Sequence, residues 1–220
     1  MKTLGTLLTA LSFLTGCTGG TTQPVKPENN NSTEIINYEQ KLRTASTITI
    51  SEYVISLGKD YDILADGVKV GTVEGKNLKL WGDVFTLKIL DGKVLASEKE
   101  NKRILFQYNR EASVHDVNDT IIGYFAEEKF NDWLSWGYIF HFYDADRNEV
   151  GKSQKIGKGA WNYHKLFDNQ GNTDYTVDKK FVMMGGDKYE IQVHDFESAI
   201  PLEQAILLIC VEDAIADAND

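Results

Sequence analysis

From Ala205 to Val211 the chain reads AILLICV, an apolar run with no polar break. A helix turns by ~100° per residue, so such a run paints every face of the helix. A helix of this kind cannot lie on a surface with one side in water; it has to be enclosed. The run is far shorter than the ~18 apolar residues of a membrane span, so protein is expected to surround it. Pro201 suits a first helical position, and Glu203 places a carboxylate in the first turn. A helix is predicted over 201–216, with Ile206, Leu207, Leu208, Ile209, Cys210 and Val211 buried. Glu212, Asp213 and Asp217 are expected to return the chain to water.

The surround is expected to be β-structure. Ile48 and Ile50, then Tyr53, Ile55 and Leu57, alternate with a change of phase that predicts a bulge at Ser51-Glu52. Asp66-Gly67 and Asp91-Gly92 are tight-turn signals between alternating segments. Further strands are predicted at Ile104–Tyr108, Val114–Val117, Thr120–Phe125, Tyr138–Tyr143, Phe181–Met184 and Tyr189–Val193. Tyr61–Gly71 lines up with Ser113–Gly123, and Phe85–Ser97 with Tyr138–Ser153, so the sheet reads as pseudo-duplicated. Closing such a sheet on itself removes its exposed edges. The predicted fold is mainly β, a closed antiparallel β-barrel around a buried C-terminal α-helix.

The first residues are a processing segment, with Lys2 ahead of the short apolar stretch Leu4–Leu14. Leu14-Thr15-Gly16-Cys17 resembles the bacterial lipobox. The resemblance implies a signal peptide over 1–16, cleavage after Gly16, and a diacylglyceryl thioether on Cys17. Together with further acylation this gives stable anchoring. Thr18, where an Asp would signal inner-membrane retention, implies the outer membrane in a Gram-negative host. An ordinary secretory signal is the alternative. Residues 17–45 read as the lipidated cysteine and a flexible tether, rich in Thr, Asn and Pro, and 46–217 as the barrel domain. Cys17 and Cys210 are the only cysteines. A disulfide between them is rejected, because the anchor uses one and the apolar run holds the other.

The duplicated turns (Asp66-Gly67, Asp91-Gly92, Asn118-Asp119, Asp144–Asn148), the strand ends Val70-Gly71 and Ile122-Gly123, the segment Gly186–Val193 and the tail Ile206–Ile215 carry a resemblance to the tubby C-terminal-like superfamily. Its LURP-one-related and bacterial branch is the most similar part. The resemblance implies a closed barrel of about twelve strands around a hydrophobic helix. The longer connections Lys129–Trp136 and Lys155–Lys165 depart from that pattern. Basic side chains of tubby barrels bind phosphoinositides, but no such position maps onto a particular residue here.

The formal charge is −10, which disfavours nucleic acid as a partner. No catalytic signature, cofactor motif or metal motif stands out. Asp144, Asp146 and Asn148 have the oxygen spacing of a calcium loop, but Glu149 stands at its glycine and Lys155 at its bidentate glutamate, so a hairpin turn is expected. The remaining cluster is aromatic and basic: Trp133, Trp136, Tyr138, Trp161, Tyr163 and His164, interleaved with Lys152, Lys155, Lys158 and Lys165. These predict a face for a lipid, a hydrophobic ligand or an envelope protein; capping of the barrel mouth is the alternative. The sequence thus points to a lipid-anchored envelope protein with a non-catalytic barrel. An envelope hydrolase with a spatially assembled site and a purely structural lipoprotein remain open.

Overall fold

The computed structural model describes residues 37–53, 59–76, 84–100, 110–128, 138–156, 163–180, 182 and 186–217. A short helix α1 (Tyr38–Thr44) precedes β1 (Thr47–Glu52), β2 (Asp60–Ala65), β3 (Val68–Lys76), β4 (Val84–Ile89), β5 (Val94–Glu100) and β6 (Glu111–His115). Then come β7 (Ile121–Glu127), β8 (Phe140–Asp144), β9 (Glu149–Ser153), β10 (Tyr163–Asp168), β11 (Thr173–Lys180), β12 (Lys188–Val193) and the helix α2 (Leu202–Asp217). Each strand pairs antiparallel with its neighbours in sequence, and β12 returns to β1, so the twelve strands form one closed barrel.

The turns repeat for a local reason. In β4–β5, β6–β7, β8–β9 and β10–β11 one residue of the turn is left-handed: Gly92, Asp119, Arg147 and Gly171. Each turn is followed by a register shift in its hairpin. This is a type I turn closed by a bulge. In three of these turns the leading aspartate holds the loop. Asp116 Oδ1 accepts from the amides of Asn118 at 2.8 Å and Thr120 at 2.9 Å, and Asp168 Oδ1 from Gln170 at 2.9 Å and Asn172 at 2.8 Å. Asp144 accepts from the Asn148 amide at 2.8 Å and its side chain at 2.9 Å. The calcium-like spacing at Asp144–Asn148 is therefore occupied by turn hydrogen bonds. The repeated sequence segments correspond to β2–β3 with β6–β7, and β4–β5 with β8–β9. The bulge expected at Ser51-Glu52 is not there: β1 keeps an unbroken register with both β12 and β2 to its end.

Alternate strand residues point inward, and α2 fills the space they enclose. Ala205 through Cys210 are all fully buried. Groups reach the helix from around the barrel: the side chains of Tyr61 of β2, His164 of β10 and Tyr189 of β12, and the backbone carbonyl of Tyr143 of β8, which accepts from Gln204 Nε2 at 3.4 Å. Gly123 of β7 makes room for Gln204; a Cβ there would stand 2.6 Å from the Tyr143 carbonyl oxygen and 1.7 Å from Gln204 Nε2. The helix begins one residue later than expected, with the Pro201 carbonyl accepting from the Gln204 and Ala205 amides.

Two expectations change. Glu212 and Asp213 do not return the chain to water; they are 2% and 0% exposed. The barrel wall outlasts the apolar run, so the helix carries its acids inside. The tether also ends earlier than residue 45. Asn37 caps α1 through the Gln40 amide at 3.0 Å, Leu42 and Ala45 join the core, and Arg43 meets Glu203 at 2.8 Å. The expected strands Ile104–Tyr108 and Phe181–Met184 fall outside the described residues, apart from the single residue at 182.

Leu208→Ala is expected to lower the unfolding free energy by about 2–5 kcal/mol in urea titration while keeping a single transition. Leu208→Asp is expected to abolish that transition, because an unpaired buried charge costs several kcal/mol, comparable to a domain's whole stability. A cooperatively folded Leu208→Asp protein would contradict the enclosure.

Candidate functional site

Three places bring chemistry together. The first is the carboxy-terminal end of α2. Asp213 accepts hydrogen bonds from Tyr189 Oη at 2.7 Å, Tyr61 Oη at 2.9 Å and Lys59 Nζ at 2.9 Å. Lys59 also meets Glu52 at 2.7 Å. Burial pushes the Asp213 carboxyl up, but hydrogen bonds, with the Asp187 carboxyl first and then with Tyr189 and Lys59, outweigh that effect and hold it below the usual range, while Asp187 is raised. Burial, followed by the charges around them, drives the Tyr61 and Tyr189 phenols strongly upward, so both stay protonated donors. This is a satisfied ionic anchor, and it pins the helix to β2 and β12.

One residue earlier the situation is the reverse. Neither carboxylate oxygen of Glu212 and neither ring nitrogen of His164 has a hydrogen-bond partner. The two groups face each other, with His164 Nε2 at 3.6 Å from Glu212 Oε1 and the pair almost wholly enclosed. Burial, with Asp213 beside it, raises the Glu212 carboxyl well above its ordinary range. Burial alone lowers the His164 imidazole to about 4. Neither group is reachable by a substrate.

The second place is a relay on the outer side of β6. Ser113 Oγ lies 2.9 Å from His115 Nε2, and His115 Nδ1 lies 3.0 Å from Asp119 Oδ1. The order of groups is that of a serine hydrolase. Its surroundings differ from one: Ser113 is only 5% exposed and its hydroxyl also reaches the Lys99 carbonyl at 3.3 Å. The sequence signal was available, two residues on one face of a strand with an acid in the following turn, but spacing of that kind is common in any hairpin.

The third place is a groove of about 490 Å³ along the outside of β10, β11 and β12. Tyr163 and Lys165 lie along it, opposite Asp178 and Thr176, which in turn face Glu190 and Gln192. His194 is held there by its Nε2 at 2.8 Å from Thr176 Oγ1.

Of the face expected from the sequence, Tyr138, Lys152, Lys155, Tyr163, His164 and Lys165 are among the described residues. Tyr163 is exposed and shares the groove with Lys165. Lys155 is exposed beyond the end of β9. Tyr138 is not a surface residue: it is buried, bridges Ile156 and packs edge-on against Phe140 at 5.5 Å. Trp133, Trp136, Trp161 and Lys158 lie outside the described residues. Cys210 is a free, buried thiol, its acidity suppressed first by that burial. Among the described residues no group of His, Cys, Asp and Glu is arranged to hold a metal, and no helix is long and apolar enough to cross a membrane.

The buried pair sets a pH dependence. Folded, Glu212 and His164 together hold one proton, whichever of them carries it. Unfolded, with ordinary values of 4.5 and 6.5, they hold one between those values, none above and two below. Stability therefore falls as pH rises above 6.5 and also as it drops below 4.5. In Glu212→Gln the folded pair holds no proton near neutrality. The variant's stability relative to the parent is expected to rise by about 1.4 kcal/mol per pH unit above the histidine's ordinary value, in chemical denaturation. A constant difference across that range would contradict the buried proton.

No protein-family model, curated protein or solved structure matches this chain.

Proposed function

We propose that the chain is a lipid-anchored envelope protein whose barrel is a non-catalytic binding module, working through its outer surface. The observation that carries this reading is the filled lumen. α2 occupies the interior, with Ala205 through Cys210 fully buried, so among the described residues the space inside the wall is taken by protein. The strongly shifted His164 and Glu212 are buried beside that helix. The outer groove contains two members of the face expected from the sequence, Tyr163 and Lys165. The anchor rests on Leu14-Thr15-Gly16-Cys17, and a lipid or an envelope protein is the expected partner.

A second reading, an envelope hydrolase, is favoured by the Ser113–His115–Asp119 relay. An alkyl fluorophosphonate distinguishes the two. Under the binding reading Ser113 stays unlabelled, since its hydroxyl is enclosed. Labelling that is lost in both Ser113→Ala and His115→Ala would establish the hydrolase instead.

Mass spectrometry of the mature protein is expected to find Cys17 as the first residue, carrying acyl chains, and Cys17→Ser to release the protein from membranes. An unmodified Cys17 would remove the anchor. For the binding face, a photo-crosslinking side chain at Tyr163 is expected to capture envelope components that the same group at Val117, equally exposed on a hairpin turn, does not. Equal capture from both positions would remove that face.

A further inference from the structure

We propose that the groove on β10–β12 is a subsite for a neutral, polyhydroxylated ligand, a short oligosaccharide. This rests on the reading of the barrel as a binding module and gives its ligand a chemical class.

The strand register builds the floor. One cross-strand row runs from Tyr163 to Asp178 to Glu190, and the next from Lys165 to Thr176 to Gln192. Neighbouring strands stand ~4.8 Å apart, so each row offers polar groups at regular short intervals. Tyr163 ends the first row at 56% exposure, whereas Phe85, Phe125, Phe140 and Phe142 are buried. Gln192 and His194 are exposed at the far side, and the hydrogen bond to Thr176 fixes the His194 ring.

The chemistry argues against an anion, an acyl chain and an added peptide strand. A phosphate or other anion would meet Asp178 and Glu190. Those two carboxylates lie directly opposite each other, an arrangement that itself costs stability. Lys180 tempers it, with Nζ at 2.6 Å from Asp178 and 3.7 Å from Glu190, and is largely committed to that task. An acyl chain needs a mostly apolar lining, and here Tyr163 is the one large apolar surface among hydroxyl, amide, carboxylate, imidazole and ammonium groups. A peptide strand cannot add to the sheet, because the barrel is closed and offers no edge. What fits is a ligand with an apolar face for an aromatic ring and hydroxyls that both donate and accept. Sugars have both, and Asp178, Glu190, Gln192 and Thr176 supply the matching acceptors and donors. The volume of about 490 Å³ lies within the ~300–1,000 Å³ usual for small-ligand clefts.

The test is saturation-transfer NMR on the full-length protein, with chitotetraose and cellotetraose as sugar probes and glycerol 3-phosphate as an anionic headgroup probe. Saturation is expected to pass to the C–H protons of at least one sugar at millimolar concentration, and not to glycerol 3-phosphate. Tyr163→Ala is expected to weaken that binding about tenfold with unchanged circular dichroism, since stacking on an exposed ring carries it. Gln192→Ala should weaken it less. Transfer to glycerol 3-phosphate without transfer to either sugar would overturn the ligand class while leaving the groove a binding face. Binding of neither, or sugar binding untouched by Tyr163→Ala, would overturn the inference; the crosslinking comparison then decides the broader reading by itself.

Discussion

The structure depends on enclosing one helix. α2 presents apolar side chains in every direction, so no flat sheet and no single packing partner is enough. Fully burying a Leu or Ile side chain contributes about 1.5–3 kcal/mol, and Ile206, Leu207, Leu208 and Ile209 are all without exposure. Burial on all sides demands a closed wall, and antiparallel strands joined by short hairpins supply one. Closure also removes the sheet edges through which barrels of this size would otherwise associate. Where the wall approaches the helix most closely, side chains are deleted: Gly123 faces Gln204, and Gly151 faces Ile200, whose Cδ1 would stand 2.7 Å from an added Cβ.

Enclosure extends past the apolar run, and polar groups inside have to be reconciled with it. Asp213 is reconciled fully, by two phenols and an ammonium whose hydrogen bonds to a charge are the strong kind. Glu212 and His164 face each other without a hydrogen bond, and burial drives both toward their neutral forms. The same helix end therefore holds a rigid anchor on one side and a pH-sensitive contact on the other. At the opposite end Arg43 of α1 reaches Glu203, which ties the first helix to the last.

The sequence carried the architecture because two signals were physically unambiguous there: an all-apolar helix too short for a membrane, and alternation punctuated by Asp-led turns. It misplaced what depends on three dimensions. Glu212 and Asp213 look like a solvent-facing helix end until His164 is seen to face the first, and Tyr61 and Tyr189 to bond the second. β10 and β11 were hidden for a different reason. His164, Asp174 and Thr176 are buried polar residues, so alternation of apolar and polar residues fails in the strands that build the groove. Tyr138 had the composition of a binding aromatic, and only the bridge to Ile156 places it inside. Of the groove itself, Tyr163 and Lys165 were legible as a cluster; Thr176, Gln192 and His194 were not, since they reach it from other strands through register.

The filled lumen is the consequence of one design, in which the interior is occupied by a helix. Amide hydrogen exchange across α2 tests that design most directly. If the barrel encloses the helix, the amides of Ile206 through Cys210 exchange only on global unfolding, as slowly as the slowest amides of β1 and β12. Exchange of those helix amides ahead of the strands, with the barrel still intact, would show that the helix lies outside the wall and would contradict the account.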